Sequence, residues 1–312
     1  MPSVLHMPAL LVPRRKALID TYPAILRVAD RLSPAIRSAF LRAIVEATNQ
    51  IDVAALVRAV ELGQTQRVNE LLHLDTLHDD MMRELTPALQ SAFIAGAAIA
   101  HEALPATASI RFDLINPHAV TYAREQTGTL IQITRESSRA AIPLIRSLIE
   151  EAVSGEHTTR EVQRLLRPIV QDVLGMTTQQ QASVDRYYRG LLESGKTHGE
   201  AAALTEDFSA AKVKQRANMI GHTEVMAAEN GGQSDLWRLT QSHGYLPDHQ
   251  QRAWLVTDDD KTCEDVCLPM AEITVGLDEP WILPDGEAVD GPPGHPHCRC
   301  SMALDFKTEQ EG

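Results

Sequence analysis

The sequence predicts a mainly α-helical body with a small C-terminal α+β module, and three observations predict it. Ala, Leu and Ile dominate the first three quarters while aromatic residues are only 4% of the 312, a composition suited to helix bundles more than to sandwiches. Apolar residues recur at helical spacing as far as Trp237, and beyond Gly244 they give way to short β-type runs between Gly- and Pro-rich loops. All four cysteines lie in that last stretch. With 44% hydrophobic residues the chain can bury a sizeable core. It reads as a helical N-terminal region (1–105), a helical core domain (106–243) and an acidic Cys/His-containing module (244–312).

Arg14 to Leu32 has Leu18, Ile19, Ile25, Leu26 and Val28 at helical spacing, and Pro23 predicts a break into two helices. Ser33-Pro34 reads as a cap followed by a first-turn proline, opening Ala35 to Ala47 with Ile36, Phe40, Leu41 and Ile44 on one face. Asp52 caps Val53 to Leu62, and Gly63 ends it. Thr65 to Leu72 and Leu77 to Ala103 complete the block. After a hinge at Leu104-Pro105-Ala106, residues 111–117 read as extended, and Pro117 starts a helix through Ala123. Thr129 to Ser154, Thr159 to Val173 (capped by Thr158), Ser183 to Leu192, Gly199 to Phe208 and Ala211 to Trp237 follow. Trp254 to Thr257 and Ile273 to Val275 read as strands, and Asp285 to Pro296 as loop. No fixed-period repeat is visible, which disfavours a solenoid.

Net charge is −13, and Gly244 to Gly312 holds 15 Asp+Glu against 4 Lys+Arg. Phosphate binding depends on neutralisation by Lys and Arg, so direct nucleic-acid binding by this module is disfavoured and a protein partner with a basic or mixed surface fits better. No apolar run reaches the roughly twenty residues that span a bilayer. The opening residues lack a basic stretch ahead of a long apolar run, so an oxidising compartment is not indicated.

The cysteines stand as Cys263-Glu-Asp-Val-Cys267 and His295-Pro-His297-Cys298-Arg-Cys300. Thiolates and imidazoles are the ligands zinc prefers, and two ligand groups separated by a loop can close a tetrahedral site. Four of Cys263, Cys267, Cys298, Cys300, His295 and His297 would suffice for a structural zinc. Reduced core thiols and disulfides are the competing readings. No catalytic residue is assigned, because nothing marks a dedicated base beside a thiol. A zinc-dependent hydrolase or nuclease, with Glu224 or Asp259 as base, is the enzymatic alternative; a site with four protein ligands argues against it by leaving no open position. Glu224 reads foremost as a solvated helical charge and Asp258-Asp259-Asp260 as a solvated turn. Trp254 and Trp281 read as the cover of the module's small core, and Arg299 as a partner for nearby carboxylates.

The run Gly221-His222-Thr223-Glu224-Val225-Met226-Ala227-Ala228-Glu229-Asn230-Gly231-Gly232 resembles a helix of the phage minor head proteins, the Mu F-like head morphogenesis family. Trp254 to Cys263, Cys267, Glu279-Pro280-Trp281 and Pro292 to Cys300 follow in the family's order. A looser likeness at Phe112 to Pro117 extends the resemblance over roughly residues 85–305. His222 stands where the family usually has arginine, and three residues separate the first cysteines where two are commoner. The resemblance implies a low-copy component of a tailed-phage or phage-like head. It would be portal-associated, bind portal or major capsid protein, act without turnover in head assembly or genome delivery, and reside in the virion head after assembly in the host cytoplasm.

Overall fold

The computed structural model describes residues 15–72, 76–104, 116–140, 145, 172, 175–257 and 262–305. Among them the helices are α1 (Arg15–Asn49), α2 (Val53–Glu61), α3 (Thr65–Leu71), α4 (Thr76–Glu102), α5 (Pro117–Ala140), α6 (Thr178–Glu193), α7 (His198–Ser242) and α8 (Cys267–Met270). Strands are β1 (Gln251–Leu255), β2 (Thr274–Gly276), β3 (Trp281–Ile282), β4 (Ala288–Val289) and β5 (Ser301–Asp305). The helical body with a small C-terminal strand region is therefore the architecture. No helix among the described residues is long and apolar enough to cross a membrane.

The principal corrections concern helix breaks. The break expected at Pro23 and the new start at Pro34 are absent, and α1 runs through both prolines. Ser33 does not cap; its hydroxyl donates to the Ala29 carbonyl one turn back (2.6 Å). An interior proline costs about 3 kcal/mol, whereas Ile25, Ile36, Phe40 and Ile44 are all buried along this helix at about 1.5–3 kcal/mol each. Burial wins. Likewise α5 continues past Ala123, and α7 is one helix where a gap at Ser209-Ala210 was expected. Ser209 bonds within its helix to the Glu206 carbonyl (3.0 Å). Helix α6 begins five residues earlier than expected because Thr177 and Gln180 form a reciprocal capping box. Asp52 caps α2 through the Ala55 amide (3.0 Å), and Gly63 follows its end in the left-handed conformation (φ +67°), both as expected. The hinge residues 105–106, the segments 111–115 and 158–173 apart from Asp172, and Thr129 to Ser154 beyond Ala140 apart from Ile145, fall outside the described residues.

Contacts group the chain into two compact units: Met1–Ser33, Leu89–Ala123 and Gly221–Gly312 form one, Pro34–Ala88 and Arg124–Ile220 the other. This differs from the consecutive division 1–105, 106–243 and 244–312, because α1, α4, α5 and α7 each contribute residues to both units. The second unit has its core in α2, α3, α6 and the first part of α7, including Leu56, Val57, Leu72, Val184 and Val213. Its Arg216 is buried, donating to the Gly175 carbonyl and the Thr134 hydroxyl (both 3.2 Å) with its guanidinium over Phe40.

In the first unit, α4 and α7 meet backbone to backbone. A Cβ on Gly96 would overlap the Glu229 carbonyl, and one on Gly232 would overlap the Phe93 carbonyl. The strands pair antiparallel in the order β2-β1-β5, with Trp254 opposite Met302 and Arg252 opposite Leu304. Side-chain alternation on β1 turns Arg252 and Trp254 inward. Trp254 and Trp281 are fully buried and meet edge to face, centroids 5.6 Å apart, as the expected core of the module. That core also includes Ala97 and Ala100 of α4 and Leu236 and Trp237 of α7. The strand region is thus continuous with the helices of its unit and not an appendage. Strand β1 lies three residues earlier than expected; β3, β4 and β5 were not anticipated.

Candidate metal centre

Two short segments bring the sulfurs together. Cys267 is the first residue of α8, and Cys298 and Cys300 sit on the turn leading into β5. All three are buried, and their sulfur atoms lie within 4.8 Å of one another. The Cys267 and Cys298 sulfurs are 3.9 Å apart. His295 joins them, its Nε2 being 2.9 Å from the Cys267 sulfur. Its other ring nitrogen lies 2.8 Å from the Pro296 carbonyl. An Nδ1–H donated there leaves the Nε2 lone pair directed at the thiols, the arrangement typical of a metal-binding imidazole.

Of the six candidate ligands, the fold gathers Cys267, Cys298 and Cys300, with His295 in contact with Cys267 but outside the group of mutually close atoms. Cys263 is a half-buried free thiol outside the three-sulfur group. It precedes α8, so the four-residue helical spacing to Cys267 does not operate; its carbonyl instead accepts the Leu268 amide (3.0 Å). His297 adopts a left-handed backbone (φ 61°), and its ring lies against His222, centroids 6.2 Å apart. All four cysteines are free thiols, with no disulfide among them.

The loop is fixed to helix α7 by residues that sequence reasoning did not assign to the site. The His297 amide donates to the Thr223 hydroxyl (3.0 Å). The Asn230 amide donates to the Cys300 carbonyl (3.3 Å), and Ser301 donates its hydroxyl back to the Asn230 side-chain oxygen (2.8 Å). Tyr22 of α1 donates to the Arg299 carbonyl (2.6 Å). Backbone groups at 297, 299 and 300, and the side chain of Ser301, are therefore held by side chains distant in sequence. Thr223 and Asn230 both stand in the run Gly221 to Gly232 on helix α7. Nothing local could show a contact 70 residues away.

Electrostatics fit a cation. Cys298 is held well below the ordinary thiol range, first by the Cys300 thiol and then by the Cys300 and Gly294 amides. Cys300 is pushed up, first by its bond to the Cys298 sulfur and then by burial, while Cys267 is raised chiefly by burial. Three buried thiols thus cannot all ionise unaided, and a metal would supply the missing positive charge. The buried indole N–H of Trp254 has no ordinary hydrogen-bond acceptor, yet it acts on the Cys300 sulfur to favour the thiolate. This orphaned donor suits a metal thiolate, whose sulfurs accept such bonds from the surrounding shell. A tetrahedral site with bonds of about 2.3 Å has sulfurs roughly 3.8 Å apart, close to the observed 3.9 Å between Cys267 and Cys298. Three buried cysteines placed this way could hold a metal ion.

Of the residues considered for catalysis, Glu224 is buried (8% exposed), contrary to the solvated charge expected. Asp258, Asp259 and Asp260 lie outside the described residues. Comparison with protein-family profiles, curated proteins and solved structures finds no match. Fold and site together define a helical protein with a cluster of three buried thiols and a half-buried imidazole at its edge.

Proposed function

We propose that this chain is a low-copy, portal-associated minor head protein of a tailed phage or phage-like particle, working by binding and without turnover. The carrying observation is that the two halves of the family-like pattern interlock: Thr223 and Asn230 of the helix hold His297 and Cys300 of the loop. The pattern is a single structural device. In this reading zinc is the metal, held by Cys267, Cys298, Cys300 and His295. Bound there, it supplies a cross-link between α8 and the entry to β5 and neutralises the thiolates.

The protein's own residues do the remaining work. Thr223 and Asn230 orient the loop, Trp254 covers the thiols, and Pro296 orients the His295 ring. With four protein donors the centre has no open position, which favours a structural role over hydrolysis. The acidic balance of residues 244–312 favours a basic or mixed protein surface on portal or major capsid protein.

Quantitative mass spectrometry of purified particles, with and without portal, tests the reading. Low-copy presence that disappears with the portal is the expected result; absence from assembled particles overturns it. Metal analysis of the purified chain should give about one zinc per chain, lost in Cys298→Ser.

A further inference from the structure

The three gathered sulfurs are not equivalent as partners for one another. Cys267 and Cys298 are 3.9 Å apart and come from segments separated by 31 residues. A disulfide between them requires the sulfurs to close from this distance to roughly 2.05 Å. The backbones of both Cys298 and Cys300 are held, by the His295 carbonyl and by Asn230 respectively. A Cys298–Cys300 bond would also have to close a small ring across one intervening residue. Cys263 is outside the sulfur group.

We propose that Cys267 and Cys298 form a redox pair that peroxide closes into a disulfide, and that closure expels the metal. The proposal rests on the metal reading above. In the first step the Cys298 thiolate attacks one peroxide oxygen; the O–O bond breaks, Cys298 becomes a sulfenic acid, and the departing hydroxide takes a proton from solvent to leave as water. The Cys267 sulfur then attacks the Cys298 sulfur and the S–O bond breaks. The hydroxyl leaves as hydroxide and takes a second solvent proton to become water. Two thiols are oxidised by two electrons, one peroxide is reduced to two waters, and a thiol reductant reverses the change. Two of the four donors lose their thiolate charge. Cys300 and His295 are left too few to retain zinc.

The test uses the full-length chain loaded with zinc, its metal content measured first. Hydrogen peroxide is added while a chromogenic chelator follows release, and free thiols are then alkylated for peptide mapping. One zinc released per Cys267–Cys298 cross-link, reversed by dithiothreitol and zinc, is the expected result. Cys263→Ser should give the same cross-link. A zinc-loaded chain that yields sulfinic acids, a Cys298–Cys300 link or a Cys263 link overturns the redox pair alone. A chain that holds no zinc before oxidation overturns the metal reading, and the switch with it.

Discussion

Glu229 is fully buried, and neither carboxylate oxygen has a hydrogen-bond partner among the described residues. Burial pushes its carboxyl up to about 9, with Arg31 opposing and Asp30 adding to the rise. The folded protein therefore retains a proton that the unfolded chain releases near the ordinary glutamate value of 4.5. Stability is full below that value and falls as pH rises toward 9, by about 1.4 kcal/mol for each pH unit while only the unfolded state is ionised. Glu229→Gln should flatten this slope and raise the melting temperature at pH 8, measured by thermal unfolding from pH 5 to 9. An unaltered slope would show that the carboxyl is not the titrating group. Arg252 is the opposite case, a buried charge fully employed. It donates to the Ser234 hydroxyl (2.6 Å), the Asp290 and Glu279 carbonyls (both 2.9 Å) and the Asp290 carboxylate (2.8 Å), above the Trp281 ring. Arg252→Leu removes a donor from each of those groups, although Arg238 still bonds the Asp290 carboxylate, and should cost about 3 kcal/mol or more. Arg252→Lys should recover little, since an ammonium lacks the guanidinium fork. Chemical denaturation reads both.

Helices α4 and α7 depend on two glycines for a reason unrelated to turns. Gly96 and Gly232 each face the other helix's backbone, so an added methyl would meet a carbonyl group that cannot rotate away. Gly232→Ala and Gly96→Ala should each cost about 3 kcal/mol or more through forced separation of the helices, beyond the usual 1–3 kcal/mol of overpacking. Gly190→Ala, on α6 with open space around it, should instead stabilise by about 0.4–1 kcal/mol. Equal effects at the three positions, read from urea midpoints, would contradict the close helix contact. The separation of α4 from α7 would also move Thr223 and Asn230, so on the proposed metal reading metal retention should fall in Gly232→Ala and remain normal in Gly190→Ala.

The molecule as a whole does not divide where its composition changes. The thiol centre shares a core with Ala97, Ala100, Leu236 and Trp237, so damage to the centre should spread into α4 and α7. On the proposed metal reading, Cys298→Ser, or a metal chelator added to the parent chain, should expose residues from Trp254 onward to protease. Hydrogen exchange should also rise in the C-terminal part of α7, while α2, α3 and α6, whose core lies in the other unit, keep their protection. Re-added zinc should reverse the chelator effect. Protection lost only from Trp254 onward would mean that the strand region unfolds as a separate domain.

Local chemistry was enough for some of this. The helical class, the Asp52 cap, the stop at Gly63 and the segregation of soft ligands into the last fifty residues follow from periodicity, capping and composition, which act over a few neighbours. The capping box at Thr177 and Gln180 was equally legible and was missed. Tertiary structure alone decided the rest. Burial carried α1 through Pro23 and Pro34, because the lost hydrogen bonds cost less than exposing the apolar face. It separated Cys263 from Cys267 by starting α8 at the second of them, and it turned His297 toward His222 while directing His295 at the thiols. It also made Thr223 and Asn230 part of the centre, through hydrogen bonds spanning 74 and 70 residues. The sequence by itself determined which elements form and which ligands are at hand; the fold selected which ligands meet, because long-range contacts depend on how the chain closes and local propensity does not record that.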